Sequence, residues 1–330
     1  MGERRQVGDG VWAVPVRAAI AFTALIAAAC GSRQQHERIA VFTQNQTNPY
    51  FRSVRLGADR AAAQLGATVT HYVPTRPDSI PEQMNEIEDA ITKRPDAVVL
   101  VPVDGKAMTP AVGQLNKAGV PVVNLIDPAD AGSFVAFIGC DEYDIAVATG
   151  RYLLDKMGGV GGVVILEGVG GSVNSANRVR GFRKALEAFP NVKLLASQPA
   201  NFQRLQALQV MENVLQAHTA IDGVLAANDA MAMGAIEALA SANRRALVVS
   251  INATREAVDA IKAGTLLASG DCNGHLQGCM GVMAAVRHVR GLPVPPRWAY
   301  PATIVDRSNY HGADVPDEDR MCPAWETMIR

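Results

Sequence analysis

The side chains with chemistry to offer fall in short segments that each follow a run of apolar, β-branched residues. They are Asn48-Pro49-Tyr50-Phe51, Arg178, Asn201-Phe202, Asn228-Asp229, Asn252, and the pair Asp271 and Asn273. Their types are amides, carboxylates, aromatic rings and one guanidinium. Amides and carboxylates can pair with hydroxyl groups, which both donate and accept. A guanidinium adds a rigid fork of donors. Aromatic faces cover apolar C–H surfaces. Such a set suits a preformed pocket for a small polyhydroxylated molecule.

Catalytic spellings are absent. No GxSxG elbow and no HExxH occurs, and His218, His275, His288 and His311 are scattered. Gly168-Val169-Gly170-Gly171-Ser172 has neither the GxGxxG nor the GxxxxGK[ST] spacing of a phosphate cradle, so it reads as a loop that needs glycine flexibility. The five cysteines, Cys30, Cys140, Cys272, Cys279 and Cys322, form no CxxC and no zinc pattern. No metal, no cofactor and no catalysis are expected. Each binding candidate also has a plain structural reading. Asn48 and Asn228 are good helix caps, Asn252 a turn residue, and Phe202 a core residue.

The elements that must hold these residues alternate. Arg38–Phe42 reads as a strand, followed by a helix capped by Asn48 with Pro49 at its first position and Gly66 at its end. Strands follow at 68–73, 97–101 and 120–125, with helices at 82–92 and 107–117 between them. After a break near Ala129–Ser133 the alternation restarts, with helices at 145–157, 178–189, 205–217, 229–239 and 253–263. The strands between them lie at 163–166, 192–196, 223–226, 247–251 and 266–269. A last helix spans 276–289, and Pro293, Pro295 and Pro296 end regular structure. Short connections between such units imply parallel sheets with right-handed crossovers. The expected fold class is α/β, with two doubly wound, Rossmann-like lobes. Ligands of such sheets sit beyond the carboxyl ends of the strands, where the polar segments lie.

The N-terminus looks like an export signal. Arg4, Arg5 and Arg17 precede an uncharged run ending Ala27-Ala28-Ala29-Cys30. Residues 1–30 are assigned to a signal peptide, with Cys30 as the candidate lipid acceptor or cleavage after Ala29 without lipid. No later apolar stretch spans a membrane, so the mature chain is expected to be exported, periplasmic, and soluble or tethered by lipid alone. Of 330 residues 48% are hydrophobic and 19% charged, and the formal net charge is -1. No global field attracts nucleic acid.

Three segments carry a family resemblance. Thr47–Phe51, Ser197–Arg204 and Ala227–Ala235, in this order, resemble the ribose-binding protein group of periplasmic sugar receptors. The likeness runs from about Arg38 to about Pro301. It implies a type I periplasmic binding fold, two lobes joined by a three-strand hinge, and closure on a monosaccharide that is handed to an ATP-driven ABC permease. It places Asn48, Tyr50, Phe51, Arg178, Phe202 and Asn228 at ligand-contacting positions. It implies lobes at 36–140 plus 273–302 and at 141–272 plus 303–330. It also sets Cys140 and Cys272 near lobe-crossing segments and hence near each other.

The departures matter too. Val101-Pro102 stands where the ribose receptors carry an Asn, and the stretch Asn124-Leu125-Ile126-Asp127-Pro128 replaces an Asp-Arg pair, with Asp127 as the candidate substitute. Asn252 stands where an Asp is expected, and Cys272 falls near a position usually held by Gln, with Asp271 and Asn273 beside it. The expected ligand therefore widens from ribose to another monosaccharide or a polyol, bound by a monomeric receptor. Rival readings are a lactose-repressor-type regulator, an enzyme on a small polar metabolite, and a receptor that signals to a chemoreceptor. The regulator needs an N-terminal DNA-binding module, and residues 1–37 offer a signal-like segment instead.

Overall fold

The computed structural model describes residues 36–329, together with 1–4, 8 and 10. The assigned signal peptide, with Cys30, otherwise lies outside the described residues. The chain divides into a unit ending at His36 and a unit from Glu37 onward. The second unit carries all the described regular structure.

It begins with β1 (Arg38–Phe42), α1 (Pro49–Leu65), β2 (Thr68–Tyr72), α2 (Ile80–Lys93), β3 (Ala97–Leu100), α3 (Thr109–Lys117), β4 (Val122–Leu125) and β5 (Ala136–Cys140). The next run is α4 (Glu142–Lys156), β6 (Gly161–Glu167), α5 (Val173–Leu186), β7 (Val192–Pro199), α6 (Arg204–Ala217), β8 (Gly223–Ala226), α7 (Asp229–Ser241), β9 (Leu247–Ile251), α8 (Arg255–Ala263) and β10 (Ala268–Asp271). The chain closes with α9 (Gly274–Val289), β11 (Arg297–Tyr300), β12 (Thr303–Asp306) and α10 (Trp325–Met328).

Two six-stranded sheets result, ordered β11-β5-β4-β3-β1-β2 and β12-β10-β9-β8-β6-β7. Every pairing in the first is parallel. The second is parallel except for β12, which runs antiparallel to β10. Helices cover both faces, and β3 is fully buried along its length. A parallel sheet covered on both faces needs such continuous apolar strands. The expected two-lobed α/β class is what the chain forms. Among the described residues no helix is long and apolar enough to cross a membrane.

The chain passes between the sheets three times: from β5 to α4, from β10 to α9, and from β11 to β12. Cys140 and Cys272, on the first two crossings, are disulfide-bonded with their Cα atoms 5.7 Å apart. A second disulfide joins Cys279 of α9 to Cys322 of the tail. Helices α1 and α9 touch backbone to backbone. A Cβ on Gly57 would lie 1.9 Å from the His275 carbonyl oxygen, and one on Gly278 would lie 2.0 Å from that of Val54.

Three expectations need correction. Regular structure does not stop at Pro296, because β11 and β12 follow and complete the two sheet edges. Arg178 does not open its helix. Ser172 caps α5 by accepting the Ser175 N–H, and Arg178 is the sixth helical residue. The tail is also shared between the lobes. Asp314 pairs with Lys262 (2.9 Å) and Arg255 (3.1 Å) of α8. Further on, Gln64 donates to the Cys322 carbonyl (3.3 Å), Trp298 Nε1 donates to that of Met328 (2.8 Å), and Arg287 lies 5.0 Å over the Trp325 ring.

Candidate functional site

The strand ends of the two sheets face each other across a cavity lined by residues of both. One lobe supplies Gln44, Asn45 and Asn48 after β1, Tyr50 and Phe51 on α1, and Ile126 and Asp127 after β4. The other supplies Asn174 and Arg178 on α5, Phe202 after β7, Asn228 after β8 and Asn252 after β9. Asn48, Tyr50, Phe51, Asp127, Arg178, Phe202, Asn228 and Asn252, all candidates from the sequence, thus line one cavity. Asp271 does not; its carboxylate accepts the Asn273 N–H (2.6 Å) at the second crossing.

Several residues serve the fold and the cavity at once. Asn48 caps α1 by accepting the Tyr50 N–H (3.1 Å). Asn228 caps α7 by accepting the Met231 N–H (2.9 Å), and its amide donates to the Phe202 carbonyl (3.2 Å). The plain reading and the binding reading of these amides are therefore compatible. The Tyr50 hydroxyl accepts from Gln277 Nε2 (2.9 Å). Burial, and then the Glu142 carboxylate, push that hydroxyl well above the usual tyrosine range.

Strain gathers at the strand ends. Ile126, Asn201, Phe202, Asn252 and Ala253 have φ of 65°, 52°, 58°, 131° and 48°. Positive φ at a non-glycine residue costs of order 1–3 kcal/mol and persists where surroundings over-determine it. The Gly-rich loop serves this arrangement by space. A Cβ on Gly168 would fall 2.1 Å from Phe202 Cζ, so the ring needs a glycine beneath it. Flexibility is required at Gly171, with φ +90°.

Arg178 is the centre of one wall. It is 4% exposed and lies 5.8 Å from the Phe202 ring centroid. Its Nε donates to Glu142 (2.6 Å), Nη1 to the Ala227 carbonyl (2.6 Å) and Nη2 to Asn252 Oδ1 (3.1 Å). Three of the five N–H groups of a guanidinium are thereby held, one from each nitrogen. Burial works against the cation, but Glu142 more than offsets it and the pKa is raised.

Asp127 anchors the opposite wall and is 6% exposed. Oδ2 accepts from Gln44 Nε2 (2.8 Å), and Oδ1 accepts the Asn174 N–H (3.2 Å) in the first turn of α5. Burial raises its pKa to about 6, against these stabilising hydrogen bonds.

Sequence reasoning passed over Asn45, Ile126, Asn174 and Glu142. Asn45, after β1, and Asn174, in the first turn of α5 after β6, carried a readable signal as polar residues beyond strand ends. The sulfurs of Cys140 and Cys272 and the Glu142 carboxylate lie within 4.8 Å of one another. The sulfurs are bonded to each other, so they offer no thiolate to a metal. The cavity's amides, guanidinium, carboxylate and rings can grip hydroxyls and cover C–H faces. None of its lining residues is a Ser, Cys, His or Lys.

Residues 39–293 match the model of the periplasmic binding protein domain. The ribose import binding protein of Haemophilus influenzae is 31% identical over 267 residues, 81% of this chain and 90% of the relative. The xylitol-binding protein of Mycolicibacterium smegmatis is 28% identical over 233 residues, 69% of this chain and 67% of the relative. Among solved structures, an ABC transporter periplasmic solute-binding protein from Actinobacillus succinogenes with bound D-allose superposes with a TM-score of 0.80. It is 30% identical, and the match covers 84% of this chain and 99% of that one. A Mycobacterium smegmatis solute-binding protein with bound glycerol gives 0.79 at 28% identity, covering 84% and 96%.

Proposed function

The chain belongs to the periplasmic binding protein family, and on that premise we propose that it is an exported receptor that captures a sugar or polyol and delivers it to an ABC importer. The observation that carries this reading is the cavity between the strand ends, with Asn48 and Asp127 on one side and Arg178, Asn228 and Asn252 on the other. Binding there favours the lobes closed only as far as the ligand prefers the closed state. The three crossings are the natural pivot, with residues 36–140 and 273–302 moving against 141–272. The relatives are named as binding proteins, and this protein is read likewise as a receptor without catalysis. Its leader directs it to the periplasm, with lipid at Cys30 as the anchor. The mature receptor acts as a monomer, and its partner is the importer's membrane permease.

Isothermal titration tests the ligand class, with a panel of ribose, allose, arabinose, xylitol, glycerol and myo-inositol. Saturable heat of binding for at least one member is expected. A folded protein that binds none of them would sink the reading.

A further inference from the structure

We infer that Glu142 sets the charge selectivity of the cavity: by neutralising Arg178 it makes the site reject anionic ligands such as aldonates and sugar phosphates and accept neutral polyhydroxylated molecules. This rests on the receptor reading above and narrows its ligand class.

Glu142 is the first residue of α4, directly after the first crossing. It is 4% exposed, as is Arg178, and its Oε2 accepts from Arg178 Nε at 2.6 Å. Among the described residues its Oε1 has no hydrogen-bond partner. The guanidinium is therefore, among the described residues, the cation that stabilises this carboxylate. The other partners of Arg178 are neutral, the Ala227 carbonyl and the Asn252 amide. Of the residues that line the cavity, only Asp127 carries a carboxyl group. Its oxygens are held by Gln44 and by the backbone of Asn174, neither of which is a cation.

The charges at the site thus sum to zero or below. Arg178 is balanced by Glu142, and Asp127 is left over. An anionic ligand would lose its water and meet one carboxylate with no uncompensated cation in exchange. Two like charges 4 Å apart interact by about 4 kcal/mol at an effective dielectric near 20, enough to decide selectivity. A neutral polyol meets no such term and can use the two remaining Arg178 N–H groups.

Ala227 and Asn252 still hold the guanidinium when the charge at 142 is removed. Glu142→Gln keeps an acceptor oxygen for Nε and deletes only the charge. The measurement is titration calorimetry with pairs that share a carbon skeleton: ribitol and ribonate, xylitol and xylonate, glucitol and gluconate. The unmodified protein should prefer the neutral member at least a hundredfold. Glu142→Gln should narrow that preference at least tenfold, and Glu142→Asp should restore it. A merely structural role would weaken both members alike and leave the ratio unchanged, which would overturn the inference. So would an unmodified protein that binds an aldonate as tightly as its alditol, and this arm decides alone if Glu142→Gln does not fold. In both cases the receptor reading stands. Failure of every protein to bind any polyhydroxylated compound would remove the receptor reading, and this inference with it.

Discussion

Asp127 Oδ1 accepts the backbone N–H of Asn174 at 3.2 Å, so a carboxylate of one lobe caps the first turn of a helix in the other. The positive end of α5 favours negative charge at that point. The same carboxylate is buried, which favours its protonated form. Burial is the stronger of the two influences, since the pKa rises from 3.8 to about 6.

A pH dependence follows. For a carboxyl with a raised folded pKa, the stabilising contribution is whole below the unfolded pKa and is lost as pH rises through the folded one. Asp127 should therefore lower stability progressively between about pH 4 and pH 6. Asp271 is raised to about 6 and Glu86 to about 7, so they share the sign, and the variant Asp127→Asn isolates one contribution. Urea unfolding at pH 4 and pH 7 should show Asp127→Asn gaining about 1–3 kcal/mol over the parent across that interval. An equal difference at both pH values would refute the assignment. Ligand affinity should fall in the same variant, by tenfold or more.

Arg178 and Glu142 should behave as a coupled pair. Arg178→Met leaves a buried carboxylate without its cation, should cost about 3–5 kcal/mol and should abolish ligand binding. The double variant Glu142→Gln with Arg178→Met should recover most of that stability while binding remains lost. Denaturant midpoints of the single and double variants give the coupling. Additive losses would mean that the two groups do not interact.

Helix packing offers a contrast between two glycines. Gly57→Ala drives a methyl into the His275 backbone and should destabilise by at least about 2 kcal/mol. At Gly113 of α3 a methyl would meet nothing within 4 Å, so Gly113→Ala should stabilise by about 0.5–1 kcal/mol. Thermal melts of both variants check the opposite signs.

The disulfides close long stretches of chain, with sequence separations of 132 and 43 residues. Removing either by a paired Cys→Ser change should cost about 2–4 kcal/mol, the longer loop more. Titration of free thiols in the mature, denatured protein should find none at residues 140, 272, 279 and 322.

Much of the site was legible because its parts obey local rules. Asn48 and Asn228 end strands and cap helices, so amides at those spacings announce both the fold and the cavity wall. Arg178 was legible as a candidate but misplaced in its helix, because Asn174, Ser175 and Asn177 dilute the apolar period of α5. Strands β5, β11 and β12 were missed for a related reason. Each has four or five residues, and Gly139 and the prolines before Arg297 read as punctuation. They exist because neighbouring strands leave sheet edges for them to pair with. Glu142 had no local signal. An acid in the first turn of a helix is ordinary, and its partner lies 36 residues away on another element.

The bond between Cys279 and Cys322 makes a ring of that part of the chain. The ring leaves α9, runs through β11, the third crossing and β12, and returns along the tail to the helix it left. A protease cut anywhere between those cysteines would yield two polypeptides that still migrate as one until reduced. The third crossing is thus enclosed in a covalent circuit, and any change in the angle between the lobes must be absorbed within a loop of fixed length.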